Sequence, residues 1–510
     1  MVSARIIGAV ASIGLPALVA AQSGFKGCDA LLSAGLDDIV TFPADQAYNE
    51  SVSTYYSSEN RRLRPYCIVQ PESTKDVSVV VKALGGVTGS GDWDVAIRSG
   101  GHSDFDNNAV HRGVTIDLSN FNKVEVSSTA KAKWEGKSKL TKTVARIRPA
   151  ARWGDVISFL EPYNLSVTGG RSGHVGVGGL LVSGGASYHA QQWGLSCDNV
   201  VGYEVVLADG SIVEATAKKN KDLFKALKGG GSNLGVVTRF DLRTFTINPE
   251  GAYGGLVFTP WDSLDTVIDQ FVAYGTKSSG SPDHEFVVLR NDAGSLAIMA
   301  MVVSTDGNEA SPAMAPWNEM PLIRDSRAKQ PLSKIAGSIA DVGGSHYVSF
   351  TLTLQVSKAV MNKVADVFLA TSQGLLADGV PVSVNFVFQP MPKKPQGVTA
   401  GTNILGHDKN LPADSILFEV RGTLLPQDAG FDGIVQQKLG AAVEEIRAFS
   451  ASQPGHSTYV YMNYANAEQD VIKSYGKDNV DFLRRTAAKY DPKGFFQYRV
   501  PGGWKVSRVN

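Results

Sequence analysis

Eight of the seventeen residues from Gly169 to Gly185 are glycine, in Gly169-Gly-Arg-Ser-Gly-His-Val-Gly-Val-Gly-Gly179 and again in Ser183-Gly-Gly185. Ordering so many residues without a Cβ costs chain entropy, so a bound cofactor accounts for the run better than a plain loop does. An earlier segment, Ile97-Arg-Ser-Gly-Gly-His-Ser103, has the same character. An apolar strand ends in a polar turn, two glycines let the backbone approach a ligand, and an imidazole follows directly. The N–H groups of such a turn can form an anion-binding nest suited to a pyrophosphate. Gly176-x-Gly178 lacks a dinucleotide fingerprint's third glycine, since Leu181 stands there. Gly229-Gly-Gly-Ser-Asn-Leu-Gly235 lacks the Lys-Ser/Thr ending of a nucleoside-triphosphate loop. A ligand of dinucleotide size is implied, held by neither the usual NAD device nor the usual ATP device.

The chain's 510 residues predict two or three folded units. Its 49 basic and 49 acidic side chains cancel, and no basic face or charged tail stands out. Nucleic acid is therefore excluded as a partner. Residues 1–21 read as a secretory signal: Arg5 begins it, Ile6–Val19 is apolar, and Val19-Ala-Ala21 fits the small-residue cleavage rule. No later segment is long and apolar enough to span a bilayer. Export agrees with the cysteines, because an oxidising compartment would let Cys28 and Cys67 pair, while Cys197 sits among apolar neighbours as a buried thiol. The sequons Asn49-Glu-Ser51 and Asn164-Leu-Ser166 can carry glycans in a secreted chain.

Strand, helix and strand signals follow one another from Cys67 to Asp117, with a helix from Thr74 to Leu84 behind the capping-box pair Ser73 and Asp76. Residues 127–142 read as an exposed loop or hairpin, Trp153–Leu160 as a helix, and Asp209-Gly210 as a hairpin turn. The glycine clusters thin out beyond Asn248-Pro249, and apolar strands such as Ala297–Val303 and Tyr347–Leu354 alternate with helices such as Leu264–Tyr274 and Ala359–Leu376. The divisions are 28–246, a substrate-binding α+β unit at 247–455, and a tail at 456–510 that returns to the first unit.

Six motifs stand in order. They are Arg98-Ser-Gly-Gly-His102; Gly176-Val-Gly-Gly179 with Ser183-Gly-Gly185; Gly194-Leu-Ser-Cys-Asp-Asn-Val200; Leu207-Ala-Asp-Gly210; Asp222 to Gly231; and a closing segment with Tyr461-Met-Asn-Tyr464, Tyr475-Gly476 and Tyr490-Asp-Pro492. Together they resemble the berberine-bridge-enzyme-like branch of the vanillyl-alcohol oxidase flavoproteins. The likeness covers roughly residues 28–245 and 459–505. It implies an α+β fold in which a two-lobed PCMH-type FAD-binding domain carries a substrate domain of antiparallel sheet and helices. It implies FAD bonded through His102 to the 8α-methyl of the flavin. It places Arg98, Ser99, Gly100, Gly101, Ser103, Val175, Gly176, Gly178, Gly179, Ser183, Gly184, Gly185 and Val237 beside the cofactor. Bicovalent members have a Cys where this chain has Ser172, so a single covalent link is expected.

Tyr464 matches the tyrosine that serves many relatives as general base. A phenol's usual pKa near 10 must then be lowered, or its proton must move in step with hydride loss. The activity implied is oxidation of an alcohol, sugar or secondary metabolite by hydride transfer to FAD, with molecular oxygen as acceptor and no metal. Two alternatives stand beside it: a dehydrogenase of the same fold with another acceptor, and a secreted binding protein without activity. His174 and His189 flank the second glycine loop, and Gln389 is a candidate substrate contact.

Overall fold

The helix Thr74–Gly85 begins as its sequence announces: Ser73 Oγ accepts from Asp76 N at 3.2 Å, and Asp76 Oδ2 accepts from Ser73 N at 2.9 Å. Val77, Val80, Val81 and Leu84 fall on one face and are buried. This chain is described here as a computed structural model covering residues 23–510 apart from 88–92, 340–342, 393–396, 400 and 408–413. The expected leader, residues 1–21, lies outside the described residues.

Three sheets organise the molecule. The first contains β1 (Val40–Thr41), β2 (Cys67–Val69), β3 (Asp94–Arg98) and β4 (Gly113–Asp117) in the order β1-β2-β4-β3, with β4 parallel to both β2 and β3. A disulfide between Cys28 and Cys67 ties the helix Lys26–Ser33 to β2, and Cys197 is a buried free thiol. The second, antiparallel sheet contains β5 (Val124–Val126), β6 (Leu140–Ile147), β7 (Leu165–Ser166), β8 (Val200–Val206), β9 (Ile212–Thr216) and β10 (Val236–Thr246). Asp209-Gly210 turns β8 into β9, and Gly210 takes the positive φ of 81° that such a turn needs. Residues 127–139 carry no helix or strand.

The third sheet is antiparallel and built from β11 (Ala252–Thr259), β12 (Asp283–Asp292), β13 (Ser295–Ser304), β14 (Arg324–Asp325), β15 (Ala328–Gln330), β16 (His346–Gln355), β17 (Val382–Pro390) and β18 (Ser415–Leu424). The helices Leu264–Gly275, Lys358–Ala377 and Asp432–Ala451 cover one face, where Val384, Phe386, Phe418 and Val420 join the core. Because strand side chains alternate, the neighbouring residues of β17 and β18 point the other way. Ser383, Asn385, Val387, Glu419, Arg421 and Thr423 thus line a cavity. The tail packs Tyr459, Tyr461, Tyr475, Leu483 and Val506 into one core with Leu181, Leu195, Val205 and Phe240. The chain is α+β, as expected. Among the described residues no helix is long and apolar enough to cross a membrane, and no group of three or more His, Cys, Asp and Glu side chains is placed to hold a metal ion.

Asn49 is exposed. Asn164 is half-buried, with Nδ2 donating to Ala132 O at 3.1 Å, so Asn49 is the more open sequon.

Glu285 on β12 is buried in the third sheet's core, where Oε1 accepts from Gln270 Nε2 at 2.5 Å and from Trp317 Nε1 at 3.2 Å. Burial pushes its carboxyl up to about 7. A carboxyl raised on folding stays protonated in the native chain while the unfolded one ionises. Stability therefore falls as pH rises from the ordinary range near 4.5 to about 7, and the loss is complete above that. Glu285→Gln should remove this dependence, gaining on the order of 3 kcal/mol over wild type at pH 8 and little at pH 4. Urea denaturation at the two pH values checks it; equal gains at both would count against it.

Candidate active site

Two glycine loops meet backbone to backbone. The turn after β3 carries Ser99, Gly100, Gly101, His102 and Ser103, and the second loop carries Val175, Gly176, Gly178 and Gly179. A Cβ on Gly100 would lie 2.5 Å from the Gly176 Cα, and one on Gly178 would lie 2.8 Å from Ser99 Oγ. Contact this close admits glycine alone. The second loop is pinned from below: Trp153 N donates to Val175 O, Val177 N to Ala151 O and Gly178 N to Pro149 O, at 2.9–3.0 Å. These residues, with Ser183 and Val237, line a cavity of about 780 Å³ that continues onto the open face of the third sheet.

Three expected cofactor contacts stand elsewhere. Arg98 is buried behind the turn, where Nη1 lies 3.6 Å from Asp117 Oδ2 and Nη2 donates to Thr54 Oγ1 at 2.6 Å. Its guanidinium holds the turn in place without lining the cavity. Gly184 and Gly185 also sit behind the lining, with φ of 130° and 91°; they let the chain pass beside Tyr461 and Ser196. His189 is a core residue, its ring edge-on to Phe245 and its imidazole pushed down to about 3 by burial. His174 does line the cavity, and Ser172 Oγ lies 3.0 Å from its Nδ1.

His102 faces the cavity from the first loop. Its Nε2 is sealed from solvent and has no hydrogen-bond partner. Burial, reinforced by the neighbouring His174 and the Arg421 cation, pushes the imidazole down to about 3, so it is neutral at every physiological pH. Tyr56 stacks on its ring at 3.8 Å.

Tyr464 lines the cavity too, where donors on its oxygen and burial pull its phenol in opposite directions. Gln389 Nε2 donates to its oxygen at 3.1 Å, and Arg171 Nη2 donates to the same oxygen. Burial nonetheless raises the phenol, outweighing the Arg171 cation, with the Glu419 charge adding to the rise. Both donors favour the phenolate, but burial outweighs them, so Tyr464 carries its proton at neutral pH. Gln389 stands behind Tyr464 and Arg171 and is absent from the lining.

Glu419 on β18 is the titratable group best matched to proton transfer. Burial raises its carboxyl to about 7 against the pull of Arg421, whose Nη1 lies 3.6 Å away. Neither Glu419, Arg421 nor Arg171 stood out in the sequence. The available signal was in Ser415–Leu424, where Ile416, Phe418 and Val420 mark one face of a strand and two charges share the other. A strand buried on both faces with charges on one is lining a site.

Residues 65–216 match the family model described as an FAD binding domain. The chain is 31% identical to the FAD-dependent monooxygenase sdcF of Emericella nidulans over 495 residues, covering 94% of this chain and 98% of that one. It is 32% identical to the FAD-dependent monooxygenase drtC of Aspergillus calidoustus, covering 94% and 90%. Among solved structures, a variant of berberine bridge enzyme in complex with (S)-reticuline superposes with a TM-score of 0.74 at 15% identity, covering 95% and 100%. The carbohydrate oxidase of Microdochium nivale gives 0.71 at 21%, covering 94% and 99%. The cavity suits FAD on its own terms. Its volume lies in the range of cofactor sites, glycine contacts keep Cβ atoms out of its two loops, and His102, one of whose ring nitrogens has no hydrogen-bond partner, lines it.

Proposed function

Because the chain belongs to the family of FAD-dependent oxidoreductases that includes the monooxygenases sdcF and drtC, and shares its fold with berberine bridge enzyme, we propose that it oxidises a secondary-metabolite-type alcohol or phenol, using a flavin bonded to His102 and dioxygen as acceptor. When bound, FAD supplies the two-electron acceptor that takes hydride from a substrate carbon. The backbone of the two glycine loops would hold it, with Ser99, Ser103 and Ser183 offering hydroxyls.

His102 would hold the flavin through a bond from a ring nitrogen to the 8α carbon, with the imidazole proton, one methyl hydrogen and the electron pair released leaving on dioxygen as hydrogen peroxide. A neutral imidazole is the form able to make this bond, which is the form burial enforces at His102. Ser172 offers no thiolate for a second link.

In turnover, Glu419 takes the proton of the substrate hydroxyl as hydride leaves carbon. Tyr464, fixed by Arg171 and Gln389, donates a hydrogen bond that orients the substrate oxygen. Leu256, Phe286, Val288, Met299 and Val387 make an apolar wall on the same sheet face, which favours an apolar-bodied substrate over an oligosaccharide. The Cys28–Cys67 disulfide supports export to an oxidising compartment, where a covalent link keeps the cofactor from dissociating. Asn49 is the favoured glycan site.

The observation that carries this reading is a neutral His102, with a partnerless ring nitrogen, lining a cavity zipped by glycines. Intact-mass measurement after denaturation should find one FAD added to the wild-type chain and none on His102→Ala. A wild-type chain of unmodified mass, expressed with ample flavin, would end the covalent reading. Peroxide production in air tests the acceptor.

A further inference from the structure

The imidazole of His102 is held by residues far from it in sequence. Tyr56 lies nearly parallel to it, with centroids 3.8 Å apart and planes 15° apart. Tyr347, from β16 of the third sheet, stacks on Tyr56 at 4.6 Å and 6°. Arg421 of β18 lies over the Tyr347 ring at 4.4 Å and donates from Nη2 to Tyr56 Oη at 2.9 Å. That guanidinium is oriented by Asp104, 3.3 Å from Nη2, and Asp104 Oδ2 accepts from Ser349 Oγ at 2.7 Å. The main chain of Tyr56 is fixed on both sides: its N–H donates to Gly101 O at 2.9 Å, and its carbonyl accepts from Gly344 N at 2.6 Å. His174 lies beside the stack, its ring 5.0 Å from His102 and 6.0 Å from Tyr56.

An isolated imidazole on a glycine turn would rotate freely about χ1 and χ2, presenting either nitrogen and either face. A ring stacked at van der Waals distance loses that freedom, and the stack's far end is anchored in the substrate-domain sheet. We propose that Tyr56, braced by Tyr347 and Arg421, is the positioning residue for flavin attachment: it sets the plane of the His102 ring so that one nitrogen faces the 8α carbon. Attachment thereby depends on the third sheet being docked on the first two. This rests on the covalent reading above, and the bond it concerns is the N–C bond whose balance is given there.

The test compares Tyr56→Phe and Tyr56→Leu in the full-length secreted chain. The covalent fraction is read by intact mass at fixed times after synthesis, with melting temperature and total flavin as checks on folding. Phe keeps the stacked ring and loses only the Arg421 hydrogen bond, so it should attach flavin at close to the wild-type rate. Leu removes the ring and should slow attachment about tenfold or more, since small misplacements of a reacting group cost that much. His102 remains present, so noncovalent flavin should still be bound. A merely structural role would lower the melting temperature of Tyr56→Leu and leave the attachment rate of the folded fraction at the wild-type value; that result overturns the proposal. Should Tyr56→Leu fail to fold, Tyr347→Leu carries the test, because it unbraces Tyr56 without touching its backbone bonds; wild-type attachment there overturns the proposal equally. An unmodified wild-type chain overturns the covalent reading itself and is told apart by the absence of any adduct.

Discussion

Replacing Glu419 by Gln is expected to lower kcat about 10²- to 10⁴-fold, the contribution a positioned general base makes. Gln keeps the shape of the side chain and its contact with Arg421, so the loss reports the proton acceptor and not the cavity. The pH profile carries a second signature. Burial lifts the Glu419 carboxyl to about 7, with Asp104 adding to the rise and Arg421 and Arg171 opposing it. In the wild type, kcat/KM should climb as pH rises through about 7, because only the ionised form accepts a proton. That limb should be missing in Glu419→Gln. Tyr464→Phe is the contrast. It removes a hydrogen-bond donor and leaves the base, so its loss should be smaller and the limb near 7 should survive. Near-wild-type turnover by Glu419→Gln, with the limb lost in Tyr464→Phe instead, would return the base role to Tyr464.

Asp117→Ala is expected to cost 3–5 kcal/mol of stability, roughly the penalty for stranding a buried charge. Arg98 and Asp117 are the last residues of β3 and β4, paired in register and almost wholly buried. Asp117 also accepts from Ser51 Oγ at 2.6 Å and from Ser119 N at 3.0 Å. Losing it leaves the Arg98 guanidinium without its countercharge at the base of the turn that carries His102. About 4 kcal/mol is a large share of a typical stability of roughly 5–15 kcal/mol, so flavin retention should fall with it. Denaturant unfolding gives the size of the loss. The Arg98→Met, Asp117→Leu double variant should recover part of it, because an apolar pair strands no charge. A cost below about 1 kcal/mol for Asp117→Ala would show that the pair does not hold the turn.

Legibility in the sequence followed the range of the interaction. The Ser73–Asp76 cap spans three residues and was read correctly, as were the Asp209-Gly210 turn and the apolar face of Thr74–Gly85. The two glycine loops were recognisable as a cofactor cradle, because close backbone approach demands glycine wherever it occurs. Arg98 stands behind the first glycine turn, and nothing in the sequence shows that its partner is Asp117. Glu419 and Arg421 went unnoticed because a charge at one position of a strand looks solvated until both faces are known to be covered.

Local sterics and hydrophobic period, written into adjacent residues, determined on their own the strand and helix order of the first unit, the glycine cradle, the imidazole at position 102 and the cysteines able to pair. The role of each polar group was decided only when strands distant in the chain came together. Tyr464 takes a hydrogen bond from Arg171, 293 residues away, and His102 is stacked by a tyrosine that Arg421 holds from 365 residues further along. A side chain's pKa and orientation depend on which charges and dipoles surround it in space, and spacing along the chain does not encode those neighbours.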